Sequence, residues 1–228
     1  SDKNLKSLID FRGFQFNNRY EIFIAAKECG IPINVLSSLI QAGLMDNTSE
    51  DNPISRSKLV LQAQSFNLLT DREKRNFSRL AQRLGFNILK AIEKSLADKI
   101  LGDDGKILMK DTRFKTFYDK YEKYREIYFK NRNFEKFASW TFENNLLGFS
   151  YSYDLKECFE AHEDIDRLHY LSDVEDLADR TTFSSVGQVK DFFTKEAQAG
   201  NKYMIMPLSD STSTKSRMFI DGRNNEKF

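Results

Sequence analysis

Two cysteines, Cys29 and Cys158, are all that this chain of 228 residues contains, too few for a disulfide framework. No apolar run approaches the roughly 18 residues that a membrane span requires. No secretory h-region opens the chain either. Together these absences predict a cytoplasmic protein with no membrane partner. Prolines number only three, which favours long uninterrupted helices. Signatures of common enzyme classes are also missing. There is no Gly-x-Ser-x-Gly, no cysteine in a recognisable nucleophile context, and no Gly-rich loop leading into Lys-Ser/Thr to cradle phosphates. Cys158, His162 and His169 are the candidate metal ligands, but no second Cys pair or His-x-x-x-His completes a set of four. The residues predict no metal site and no cofactor in this chain.

What is present is ordinary in amount and uneven in arrangement. Hydrophobic residues make up 40% and charged residues 30%, with as many as 20 Phe and 9 Tyr. That is enough apolar material for one large or two small domains with a real core. The net charge of +1 conceals local imbalance. Residues 56–99 carry ten Lys/Arg against four Asp/Glu, residues 110–136 nine against five, and residues 154–180 three against ten. Basic regions beside an acidic one suit a protein that holds a polyanion on one side, and solvated helix faces would produce the same counts.

Patterning predicts a mainly α fold with a small C-terminal antiparallel β part. Residues 1–109 read as helices at Leu5–Phe11, Arg19–Cys29, Ile33–Ala42, Ser55–Leu69, Asp71–Leu84 and Asn87–Leu101. Thr70 with Glu73 forms a capping-box pattern, and Gly85 suits the end of the helix it opens. Asp103-Asp104-Gly105 is a turn signal. Residues 110–180 read as a connector, a long aromatic helix and a second helix, followed by an acidic linker from Leu155 to Arg180. In that long helix Phe117, Tyr121, Tyr124 and Tyr128 share one face. Such a stripe is more often core than a stacking platform for bases. Residues 181–228 change period, with short strands expected at Ser184–Phe193, Lys202–Leu208 and Lys215–Ile220.

Three blocks, in order, carry a resemblance to a known family. Asn34, Leu36, Leu39, Ile40, Ala42, Gly43 and Asp46 follow, in order, a motif that runs from an asparagine through a leucine to Leu-Ile-x-Ala-Gly-x-x-Asp. Glu143-Asn144-Asn145-Leu146-Leu147-Gly148-Phe149 follows about a hundred residues later. It is continued by Ser150-Tyr151-Ser152-Tyr153-Asp154-Leu155, where the family has Ser-Gly-His-Pro-Leu. Third come Val186–Val189, Lys202–Met206 and Arg217–Ile220, spaced as opening barrel strands. This order resembles the alpha subunit of bacterial and phage replicative DNA polymerase III, from the end of the fingers through a helix-hairpin-helix to the OB-fold barrel. Roughly Asn67 to Ala138 is unmatched.

The resemblance implies a helix-hairpin-helix containing helical domain followed by a partial OB-fold barrel. It implies DNA as partner, both duplex backbone and single-stranded template, together with the remainder of the polymerase. The parent would extend DNA by two-metal phosphoryl transfer with Mg²⁺. This chain lacks the palm carboxylates, and alone it is expected to be inactive. Asp164-Ile165-Asp166 looks like an Asp-x-Asp pair of the two-metal type, and its acidic surroundings favour a solvated turn. A hairpin between helices offers backbone N–H groups to phosphate without reading sequence. Asn34 and Gly43 belong to that motif, and Arg19, Lys27, Arg56 and Lys58 are the nearest cations. On the barrel, Lys190, Lys202, Tyr203, Arg217 and Phe219 are the candidates for single strands. Gln64-Ser65-Phe66-Asn67-Leu68 departs from the family's sliding-clamp motif and lies inside an expected helix, which counts against clamp binding by this chain. The competing reading is a helical protein-interaction module that binds another replication subunit without touching DNA.

Overall fold

The structure is a computed structural model and describes residues 2–16, 18–46, 54–160, 167–178, 181–189, 191–196, 202–213 and 217–221. At 2–4, 131, 202 and 217–221 only the backbone is described. The fold is mainly helical with a small antiparallel sheet near the C-terminus. The chain forms two compact units, residues 1–138 and 139–228.

The first unit holds α1 (Asp2–Arg12), α2 (Arg19–Glu28), α3 (Ile33–Gln41), α4 (Arg56–Asn67), α5 (Asp71–Gln82), α6 (Ile88–Ala97) and α7 (Asp111–Asn131). Side-chain caps explain most of the starts. Asn18 accepts from the N–H groups of Tyr20 and Glu21 at the head of α2, and Asn87 from that of Lys90 at α6. Thr70 and Glu73 form the full reciprocal capping box of α5. Gly85 has φ +65°, as a residue just past a helix end requires, and Phe86 follows at φ +56°. Phe86 is held there from two sides: its carbonyl accepts from the Tyr20 hydroxyl, and its ring lies 5.2 Å from the Arg19 guanidinium.

The core of this unit is aromatic. Tyr20, Phe23 and Phe66 meet at ring-centre distances of 5.2 to 5.9 Å, and Phe77 and Phe117 are fully buried. Phe117 stacks on Tyr121 at 5.9 Å, so α7 contributes its apolar stripe to the same core by packing against α4. This is why the first unit continues beyond residue 109. At Tyr124 and Tyr128 the stripe rises to half-buried positions. A turn of 3-10 helix, Arg132–Phe134, separates α7 from α8 (Glu135–Leu147).

The second unit contains most of α8, then α9 (Leu155–Phe159), β1 (Leu168–His169), a 3-10 segment at Leu171–Asp176, β2 (Ser184–Ser185), β3 (Gln188–Val189), β4 (Phe193–Glu196), β5 (Lys202–Ser209) and β6 (Arg217–Asp221). The acidic stretch expected as a linker is instead built into this unit. Leu155, Leu168 and Leu171 are buried, β1 pairs in parallel with β2, and the Leu171 N–H donates to Asp210 Oδ2 at 2.7 Å. The strand expected over Ser184–Phe193 is broken into short pieces. β3 and β4 both pair antiparallel with β5, which is flanked by β6. Against β5 the pairing of β3 ends at Val189↔Leu208 and that of β4 begins at Phe193↔Ile205. Pro207, without an N–H to donate, sits where that pairing lapses. The result is one antiparallel sheet with β3 and β4 along one side of β5 and β6 along the other.

Candidate nucleic-acid interface

The α2–α3 pair is joined by a tight turn, with Gly30 at φ +74° directly after α2. The Cys29 N–H returns to Ala25 O at 2.8 Å and the Ile31 N–H to Ala26 O at 2.8 Å. α3 starts at Pro32, whose side chain cannot cap, and its first intrahelical bond is Leu36 N–H to Pro32 O at 3.0 Å. The N–H groups of Ile33, Asn34 and Val35 therefore lead the helix without a side-chain cap, the partial positive end of its dipole. At the other end Gly43 takes φ +93°, and Leu44 N–H returns to Leu39 O at 2.9 Å.

The cations proposed around this hairpin separate into two kinds. Arg56 is 5% exposed and faces inward. Its Nε donates to Asp46 Oδ1 at 3.0 Å and Oδ2 at 3.2 Å, its Nη1 to Gln41 O at 3.1 Å, and its Nη2 pairs with Asp46. Arg19 is likewise buried, donating to Gln62 Oε1 at 2.8 Å beneath Phe86. Both arginines are structural clasps, and the final Asp of the α3 motif is one of their partners. Lys27, Asn34 and Lys58 remain on the surface. Lys58 sits in the first turn of α4, where its N–H is capped by Ser55 Oγ at 3.3 Å. Asn34 accepts Ser38 Oγ on its carbonyl at 3.1 Å.

Lys27 pairs with Asp71, whose carboxyl its hydrogen bond holds below the usual carboxylate range. Beside them lies Lys74 in the first turn of α5. It is only 6% exposed, and burial first, then the Lys27 charge, push its ammonium below the ordinary lysine range. Sequence reading did not single out Lys74, because a lysine in a basic helix looks solvated until the packing is known.

In the second unit the Glu143-to-Phe149 block has a concrete task. Glu143 is fully buried near the end of α8. Its Oε2 accepts from the N–H groups of Tyr151 at 2.8 Å and Ser152 at 3.0 Å and from Ser150 Oγ at 2.7 Å, while Oε1 accepts Ser152 Oγ at 2.6 Å. Gly148 at φ +83° turns the chain back toward that carboxylate. The Ser-x-Ser following a helix-stopping glycine was the available signal. Nearby, Asp154 accepts the Tyr170 hydroxyl at 2.8 Å, pushing the phenol up to about 12, and the Lys156 ammonium lies 4.4 Å from the Tyr170 ring centre.

On the sheet, Tyr203 is half-buried and registers with Lys195 and Asp221, on the face of β5 that carries buried Ile205. Lys202 registers with Glu196, Arg217 with Pro207 and Phe219 with Ile205. Lys190 lies outside the described residues, as do His162, Asp164 and Asp166. Phe192 and Phe193 are exposed at and just before the start of β4. The Gln64–Leu68 segment is engaged in α4, with Phe66 buried and Gln64 Nε2 donating to Ser37 Oγ at 3.3 Å. No helix of the described residues is long and apolar enough to cross a membrane.

Set against known proteins, the chain matches no family model, no curated protein and no solved structure.

Proposed function

We propose that this chain is a DNA-binding, non-catalytic piece of a replicative DNA polymerase III alpha-like protein. It would contact the duplex backbone through a helix-hairpin-helix formed by α2 and α3, and single-stranded template through an OB-like sheet formed by β3 to β6. The observation that carries this reading is the α2–α3 hairpin, which joins an uncapped helix N-terminus to a cationic flank. Two further observations support it. The block around Leu147-Gly148-Phe149 is a self-contained turn anchored on its own glutamate, and β3 to β6 pair antiparallel around β5, a pairing compatible with the opening strands of a small barrel. Mg²⁺ would belong to the parent's palm, and the remainder of that polymerase would be the protein partner.

Phosphate contact has a quantitative signature. Each neutralised phosphate releases counterions, so log affinity should fall with log salt at a slope of about −0.9 per duplex contact. Fluorescence anisotropy with duplex and with single-stranded DNA across a salt series measures it. A slope of about −2 to −4 on duplex is expected; absence of binding at low salt would overturn the reading. With Mg²⁺, primed template and nucleotides the chain should show no extension. A rate abolished by Asp164→Ala with Asp166→Ala would reverse that assignment.

The exposed apolar side chains of Ile127, Phe129 and Phe134 favour a second reading, a protein-interaction module for another replication subunit. Under it DNA affinity is absent and pull-down of a partner is insensitive to added DNA.

A further inference from the structure

Lys74 is in an unfavourable place for a cation. It lies in the first turn of α5, the positive end of the helix dipole, and it is more than nine-tenths buried. An ammonium carries three donors. Among the described residues none of them reaches a protein acceptor: the ring of Phe66 lies 5.9 Å from Nζ, and the charges of Lys27 and Asp71 act on it from nearby. The side chain lines a small cavity of about 40 Å³ together with Lys27, Ile31, Ile33 and Phe66. That volume accommodates a water or one oxygen of a ligand. The same cavity reaches Ile33, the first residue of the uncapped α3. Lys27, Lys74 and the first residue of α3 thus border one oxygen-sized space among apolar side chains, and Asp71, which pairs with Lys27, acts on Lys74 through its charge without a hydrogen bond to it.

We propose that Lys27, Lys74 and the N-terminus of α3 form a subsite for a tetrahedral oxyanion, a phosphate group whose inner oxygen enters the cavity. Asp71 is the resident competitor: its carboxylate occupies Lys27 until phosphate displaces it. The phosphate is either a free ion or a phosphodiester of a nucleic-acid backbone, and the chemistry of the subsite is the same for both.

The test uses the whole chain and inorganic phosphate as probe, at ionic strength matched with chloride. A saturable rise in melting temperature is expected, together with amide shifts at Ile33, Asn34 and Val35 in ¹⁵N-labelled protein. Lys74→Met should abolish both while keeping the amide spectrum of a folded chain, and Lys27→Ala should weaken them. Asp71→Asn should tighten phosphate severalfold, a gain that mere structural damage does not produce. Duplex DNA then separates the sources. If Lys74→Met also weakens duplex binding and reduces its salt slope by about one, the ligand is a backbone phosphodiester. If DNA affinity is unchanged while the phosphate response is lost, the subsite takes a free ion. Failure of the chain to bind DNA sinks the polymerase reading and leaves the phosphate titration intact as the test of this one. A phosphate response that is absent, or that survives Lys74→Met, overturns the proposal.

Discussion

Arg56 grips Asp46 with two nitrogens of its guanidinium, Nε reaching both carboxylate oxygens while Nη2 closes the pair. The link ties the segment that follows α3 to the first residue of α4, and Gln41 O at 3.1 Å adds the end of α3 to the same clasp. A motif residue and a candidate DNA cation are thus each other's partner.

Asp46→Ala should therefore be costly even far from any ligand. It strands a nearly buried guanidinium, and since Asp46 is itself a third exposed, a loss of about 2–3 kcal/mol is expected. Urea unfolding followed by circular dichroism measures it. Arg56→Lys should lose part of the same energy, because an ammonium cannot reproduce the fork.

Glu143 offers a second test. Glu143→Ala leaves two N–H groups and two hydroxyls of Tyr151, Ser150 and Ser152 without their shared acceptor. About 3 kcal/mol should be lost, and the amides of Tyr151 and Ser152 should exchange with solvent far faster. Glu143→Gln should fall between, since one oxygen is replaced by a donor.

Lys74 makes stability depend on pH. Its folded ammonium is less basic than the usual 10.5 because of burial first and Lys27 second, with Asp71 opposing. The unfolded chain then binds this proton more tightly than the folded one. Its penalty is full below the lowered value and fades as pH rises toward the ordinary lysine range. In chloride buffer, Lys74→Met is expected to be more stable at pH 7 by about 1–2 kcal/mol, and the difference should shrink toward pH 10. Chemical denaturation at both pH values decides it.

Arg72 holds the segment after α6 by donating to Asp104 Oδ1 at 2.7 Å, Lys106 O at 3.0 Å and Leu108 O at 3.1 Å. Arg72→Ala should leave global unfolding nearly unchanged while speeding exchange at the Gly102 N–H, which bonds Lys106 O at 2.8 Å, and at the Leu108 N–H, which bonds Ile100 O at 2.9 Å. Hydrogen-exchange mass spectrometry reads both.

Local chemistry carried the helices. Thr70 with Glu73, Asn18, Asn87, Gly43 and Gly85 mark boundaries within a residue or two of those observed, because a cap satisfies its own backbone neighbours and needs nothing distant. The aromatic stripe of α7 was legible for the same reason, as a period that one face must bury. The strand over Ser184–Phe193 was less legible, since its pieces pair with β1 and β5, partners that the local pattern does not contain.

The fate of each charge was decided elsewhere. Arg19, Arg56, Lys74 and Glu143 are spelled like any surface charge, and a helical sequence alone determines only that they occur at given angles around an axis. Whether that angle faces water or a carboxylate is set by what packs there: Phe86 over Arg19, Asp46 against Arg56, Phe66 beside Lys74, and the returning Ser150–Ser152 turn on Glu143. The sequence by itself determined where most helices begin and which faces are apolar, while α6, expected to run to Leu101, ends at Ala97. Only tertiary structure decided which charges are buried and paired, because desolvation and pairing are properties of neighbours distant in the chain.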